Sequence, residues 1–220
     1  MYKKHLIHKW FIIFFIIIFS FTCFCESNGQ TIGYKEGPDV TLTKYNPVPD
    51  LGYTYGIFHD FKVYKNIGMS TGLQFSFFKL GNCFIYSQDN YYPSYSSSSG
   101  GVLFKVLEFP VDITLKIAGK DSSECQFFFT GGYSFCYILK KQIIQEGIIV
   151  DNQNEVLNSI FANNIINYAK AGIELRLFPQ DKLNFALGIQ YKYLFAKNQQ
   201  YGDINNWNIY VKTGLNLSKL

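Results

Sequence analysis

The chain has 220 residues, 20 Lys+Arg against 16 Asp+Glu, an aromatic share of 19% and a charged share of only 16%. A formal charge of +4 on a chain this long excludes the dense basic surface that nucleic acid requires, so no nucleic-acid partner is expected. No Pro/Gly/Ser linker separates two differently composed halves, which argues for one domain rather than two.

Lys3, Lys4 and Lys9 precede an unbroken apolar run from Trp10 to Phe19, and the stretch to Gln30 ends small and polar. This is the layout of a secretory signal peptide, and the apolar run is shorter than the roughly 20 residues of a spanning helix. We therefore expect residues 1–30 to be removed and residues 31–220 to form the mature domain. Removal takes away three lysines and Glu26 and lowers the formal charge to about +2. Cys23 and Cys25 lack the context of a lipidated cysteine. Cys83, Cys125 and Cys136 remain, an odd count that allows at most one pair and does not choose it.

Thr31 to Asp50 carries Pro38, Pro47 and Pro49 and predicts only a short first strand near residues 31–36. Beyond it, period-2 alternation recurs in Gly52 to Lys62, Ile67 to Lys79, Val102 to Ile117, Cys125 to Ile138, Asn164 to Phe178, Leu183 to Lys197 and Asn206 to Leu217. The clearest case is Val102 to Ile117. There Leu103, Lys105, Leu107, Phe109, Val111, Ile113, Leu115 and Ile117 oppose Glu108, Pro110, Asp112, Thr114 and Lys116, so Lys105 is the one charge on the apolar parity. At about 16 residues this segment is far longer than the usual strand of about 5 to 6, as expected of one that crosses something thick. A helix is rejected because Pro110 would remove a hydrogen bond and the charges would scatter over several faces. A local bulge is expected at Pro110, since a closed barrel has no free edge on which to place it.

The connections run short, long, short, long, short, intermediate from the turn after Lys62 onward, with long loops at residues 80–101 and 139–163. About eight strands, with both termini on the short-turn side, predict an all-β, antiparallel, up-and-down barrel of the transmembrane kind. Alternation alone does not orient the faces, because a soluble barrel alternates too. Volume does: the bulky Phe, Tyr, Leu and Ile face would overfill an eight-stranded interior. The face with Gly56, Gly68, Gly72, Gly132, Gly172, Gly188 and Gly214 would fit it. The apolar face is therefore expected to meet lipid.

The LEFP run at Leu107 to Pro110, the aromatic strand ending in TGGY at Thr130 to Tyr133, and STGLQFSFFKLG from Ser70 to Gly81 resemble the outer-membrane β-barrel family of Bacteroidetes-type bacteria, the PorT-like group. The resemblance extends over nearly everything after the leader. It implies a bacterial outer-membrane location, contact with outer-membrane lipid, and insertion by the barrel-assembly machinery. It also implies a structural or interaction role in the envelope, with a partner from envelope assembly or secretion. The chain departs from common barrels in ending at Leu220 rather than at an aromatic residue.

Facing inward, Asp60, Glu108, Asp112 and Glu174 accompany Lys62, Lys116, Lys170, Arg176, Lys192 and Lys212. Such a set can make an ion path or a salt-bridged plug. Eight strands leave little room for a pore, so the plug is expected. His59 is the only histidine after the leader, no Ser stands two residues beyond it, and one histidine builds no metal cluster. We expect no catalytic or metal-binding residue and no cofactor, and read His59 as an interfacial side chain. The alternative is a lipid-modifying enzyme of the small-barrel type. Tyr86, Tyr91, Tyr92 and Tyr95 make the first long loop a candidate for partner binding, or the base of an interfacial girdle.

Overall fold

The computed structural model describes residues 29–43, 46–81, 101–145, 148–150, 164–195 and 204–220. The expected signal peptide, the four tyrosines of the first long loop and Cys83 lie outside these residues. Eight long strands follow the alternating segments: β1 (Thr31–Thr43), β2 (Asn46–Tyr64), β3 (Ile67–Gly81), β4 (Gly101–Ala118), β5 (Cys125–Gln145), β7 (Ile165–Leu177), β8 (Leu183–Leu194) and β9 (Ile204–Asn216). A three-residue strand, β6 (Ile148–Val150), folds back on the end of β5. Each long strand pairs antiparallel with its neighbours. β1 pairs with β9, and the β4–β5 ladder joins the rest, so the sheet closes on itself as an eight-stranded barrel with no free edge along its wall.

The short connections gather at one end. Lys65 and Asn66 join β2 to β3, and Lys65 takes a left-handed φ of 33° to turn the hairpin. Residues 119–124 join β4 to β5, tied by Ser123 N–H to Lys120 O at 3.0 Å and by Lys120 N–H to Ser123 Oγ at 2.9 Å. Residues 178–182 join β7 to β8. Both ends of the barrel chain meet there as well, where Leu217 N–H donates to Gln30 O at 2.8 Å.

Three sequence expectations are corrected. The first strand runs to Thr43 rather than stopping near residue 36, and β2 starts at Asn46, so Pro38 and Pro49 sit within paired strands. Pro38 is accommodated because the β1–β9 ladder skips residues 37 and 38 while keeping its register on either side, from Glu36↔Val211 to Asp39↔Asn208. Pro110 makes no bulge. The β3–β4 ladder keeps register from Thr71↔Val111 to Gln74↔Glu108 and omits only the pairs that would contain Phe109 and Pro110. The irregularities of β4 lie elsewhere, against β5 at Lys105/Val106 and Lys116/Ala118. Lastly, the region after Ile138 is not loop from residue 139: β5 continues to Gln145, pairing with β4 up to Gly101↔Ile144.

Face orientation follows the volume argument. Among the described residues, Ile57, Ile113, Ile117, Ile173, Leu187 and Ile209 are each about half exposed or more on the outer wall. Glu108, Asp112, Lys170, Glu174, Lys192 and Lys212 are buried inside. An apolar exterior around a charged interior inverts the arrangement of a soluble protein and suits hydrocarbon surroundings.

Candidate functional site

The interior is built in tiers, because successive inward positions of each strand lie about 6.6 Å apart along it and the register aligns those of neighbouring strands. In the tier nearest the short turns, Arg176 Nε donates to Glu174 Oε1 at 2.6 Å and Arg176 Nη2 lies 3.1 Å from Asp60 Oδ2. Lys212 Nζ bridges Asp60 Oδ2 at 3.4 Å and Glu174 Oε2 at 3.0 Å. Aromatic faces support both cations: Arg176 Cζ lies 4.1 Å from the centroid of Phe128, and Lys212 Nζ 4.8 Å from that of Phe58. Tyr210 Oη donates to Glu174 Oε2 at 2.9 Å. Its ring passes over Gly188, where any Cβ would collide with it, so this glycine is required by a close approach.

In the middle tier Lys170 Nζ lies 2.8 Å from Asp112 Oδ1 and 3.9 Å from Glu108 Oε1, joining two acids of one strand. Glu108, 1% exposed, is the hub of the next tier. It accepts from Ser134 Oγ at 2.6 Å, Ser76 Oγ at 3.2 Å and Lys192 Nζ at 3.1 Å. Lys192 also reaches Asp39 Oδ1 at 3.6 Å, and Thr54 Oγ1 donates to Asp39 Oδ2. Beyond this tier, toward the long loops, the described interior turns apolar. Phe78, Leu80, Val102, Phe104, Val106, Ile138, Ile166 and Leu194 form a contiguous apolar layer, with Phe78 and Phe104 stacked at 5.0 Å.

Eight of the nine residues expected in the lumen cluster therefore stand in two ionic groups, Asp60, Glu174, Arg176 and Lys212 in one and Glu108, Asp112, Lys170 and Lys192 in the other. Lys116 stands apart at the rim, where it pairs with Asp121 of the turn. That lysine holds the exposed Asp121 carboxyl below its ordinary range. Lys62, also expected inside, is exposed at the same rim. Sequence reasoning missed Lys35, Asp39 and Tyr210. The two charges lie in the proline-bearing stretch whose strand extends further than its pattern suggests, although Lys35, Gly37, Asp39 and Thr41 do alternate with Tyr34, Glu36 and Val40. Lys35 Nζ sits 3.9 Å from the Tyr210 ring centroid. With these added, five buried or largely buried acids (Asp39, Asp60, Glu108, Asp112, Glu174) face five cations (Lys35, Lys170, Arg176, Lys192, Lys212), so the charges of these tiers balance among the described residues. The apolar layer was missed too. Its signal is the run of consecutive apolar residues at Phe77–Phe78 and at Val102 to Phe104, where strict alternation lapses.

On the outer wall the aromatics concentrate toward the long loops. Tyr55 stacks between Phe75 at 5.8 Å and Phe77 at 5.9 Å, Tyr133 packs on Phe135 at 4.8 Å, and Tyr191 lies 5.0 Å from Trp207. Such a band belongs at the boundary between lipid and water. His59 is on the outward-facing parity of β2, half-buried, with its ring 5.5 Å from that of Phe61, while Asp60 points inward. Glu36 is an unexpected carboxylate on the outer face, accepting from Tyr53 Oη at 3.0 Å. Cys125 and Cys136 are both free; they stand eleven residues apart on β5, one at its start and one near its middle, and an extended strand holds them too far apart for a bond.

No protein-family model matches the chain, and no curated protein matches it. Among solved structures, Neisserial surface protein A (NspA) superposes with a TM-score of 0.52 at 9% identity, covering 86% of this chain and 97% of that one. The fold is that of a small bacterial outer-membrane barrel. The outer membrane enzyme PagL aligns with a TM-score of 0.46 at 11% identity, over 83% of this chain and 97% of that one. Ail, the attachment invasion locus protein of Yersinia pestis, gives 0.40 at 11%, over 84% and 96%. At such identities the likeness is one of architecture, and the reading of function rests on the interior and the surfaces described above.

Proposed function

We propose that this protein is an integral barrel of the bacterial outer membrane with a structural or interaction role in the envelope, acting through its exposed ends and not through its lumen. The finer reading, a PorT-like accessory to secretion or assembly, rests on the sequence resemblance. Outer-membrane lipid surrounds the wall, the barrel-assembly machinery inserts it, and the functional partner is another envelope or secretion-system protein. The observation that supports a non-transporting role is the balanced set of buried ion pairs capped by the apolar layer around Phe104. Ions entering from the turn side would have to break buried pairs and then cross a layer with no charge to receive them. The placement of His59 with its neighbour Asp60 on the opposite face supports a role without catalysis, since adjacent strand residues cannot cooperate at one centre.

Planar-bilayer recording on the refolded barrel is the test of the plug: no unitary conductance is expected. Steady channels from the unmodified protein would overturn it. Lipid A from a deletion strain should carry an unchanged acyl pattern. An altered pattern restored by the wild-type gene would replace the structural role with a lipid-modifying one.

A further inference from the structure

The turn-side mouth of the barrel opens into a cavity of about 380 Å³ that the tiers of ion pairs do not fill. Six cations line it: Lys62, Lys65, Lys116, Arg176, Lys212 and Lys219. Asp60 and Asp121 are the acids of that lining, so the cavity carries four positive charges in excess. Arg176, Lys212 and Lys116 spend part of their charge on Asp60, Glu174 and Asp121. Lys62, Lys65 and Lys219 are exposed and make no ion pair with a described residue. The buried Arg176 Nη2, though near Asp60, has no hydrogen-bonded partner among the described residues. The floor is not polar throughout, since Phe58 and Phe128 lie beneath Lys212 and Arg176.

An excess of several charges, a guanidinium with donors to spare and an aromatic floor together define a ligand that is multiply anionic at one end and apolar at the other. A single carboxylate would leave most of this charge uncompensated. A phosphate monoester carries close to two negative charges at neutral pH and three acceptor oxygens, so it offsets about half of this excess and can accept from several of these donors at once. The volume falls in the range of about 300 to 1,000 Å³ typical of small-molecule sites. We propose that the turn-side cavity binds a phosphate monoester attached to an apolar group, either a free solute or a phosphorylated lipid headgroup drawn from the adjacent leaflet.

Phenyl phosphate presents this chemistry in its simplest soluble form. Titrated calorimetrically into the full chain refolded in detergent, it should bind with an affinity that falls as salt rises, be displaced by inorganic phosphate, and have no counterpart in phenol. The variant Lys62→Gln/Lys65→Gln/Lys219→Gln changes only exposed rim residues and should weaken binding by about tenfold or more. The pair Lys140→Gln/Lys141→Gln, at the far end of β5, should leave it unchanged. Short-chain phosphatidic acid, added to the micelle against phosphatidylcholine as control, separates the two sources. If phenyl phosphate binds, the site serves a free solute. If phosphatidic acid alone binds, with the same dependence on the rim lysines, the site holds a lipid headgroup. Binding of neither, or equal weakening by the rim and far-end variants, overturns the proposal. Because every readout is binding to the isolated barrel, failure here leaves the proposed envelope role standing, and failure of that role leaves this site standing.

Discussion

Glu108 and Asp112 stand four residues apart on the same face of β4, yet they differ in how much depends on them. Glu108 accepts from two hydroxyls and pairs with Lys192 where no water reaches, so Glu108→Ala leaves Lys192 sharing Asp39 alone and takes the acceptor from Ser134, while Ser76 keeps only its bond with Thr54. Breaking a buried pair in this way should cost about 3 to 5 kcal/mol, read as a lower urea midpoint for the refolded barrel. Asp112→Asn preserves size and leaves Lys170 within reach of Glu108, so its cost should be smaller, about 1 to 3 kcal/mol. Equal midpoints for the two variants would contradict the hub assignment. At Gly188 the constraint is steric: Gly188→Ala must push the Tyr210 ring away and break its bond to Glu174. A loss of about 1 to 3 kcal/mol is expected. Most of it should vanish in the Gly188→Ala/Tyr210→Phe background only if the hydroxyl bond is the dominant casualty, so the double-mutant cycle separates bond from ring.

At the scale of an element, β4 combines both environments in one strand. Val111 faces out and Asp112 in. Val111→Arg sets a charge in hydrocarbon and should cost about 2 to 4 kcal/mol, with reduced assembly in cells. The same substitution at Ile117, beside the turn, should cost about 0 to 1 kcal/mol because the charge reaches the interface. Similar costs at both positions would mean that the wall does not lie in a membrane along this strand. Pro110 belongs to this scale as well. The β3–β4 register passes through it unshifted, so Pro110→Val should be tolerated, and stabilising by about 0.5 to 1.5 kcal/mol if it supplies the missing donor to β3. A loss of stability would instead mean that the ring's fixed φ and its inward packing outweigh the missing donor.

For the whole molecule, exterior and interior make a joint demand on solvent. With large apolar side chains such as Ile57, Ile113, Ile173 and Ile209 exposed around the wall, the chain should regain heat-modifiable gel mobility only in detergent or lipid. Efficient refolding in plain buffer would overturn the membrane reading while leaving the strands intact. Topology is tested in cells. Tags inserted within residues 82–100 should be labelled on intact cells, and tags in the turn at residues 119–122 should not, with reversed labelling inverting the orientation. Loop-closure cost rises by only about 0.6 kcal/mol per doubling of length, so the long-loop insertions should not unfold the barrel.

Seven of the eight long strands, their antiparallel order, the short-turn end and the outward direction of the apolar face could all be read from the residues. These depend on a period of two and on the volume of side chains, both local properties that survive without knowledge of partners. The extent of β1 and β2 could not be read, because a proline excludes a strand only where its missing donor faces a paired neighbour. Whether it does is settled by register across the sheet. The ionic cluster was legible as a list of inward charges, since parity alone assigns a face. Which charges meet was not: Glu108 lies 84 residues from Lys192, and Lys212 lies 152 from Asp60. Only closure of the barrel decides that Lys35 and Asp39 complete the balance, that Lys116 falls at the rim, and that Phe78, Phe104 and Ile166 meet to seal the loop half. Strand tilt and stagger, which set the height of each inward residue, are properties of the closed sheet and of no single strand.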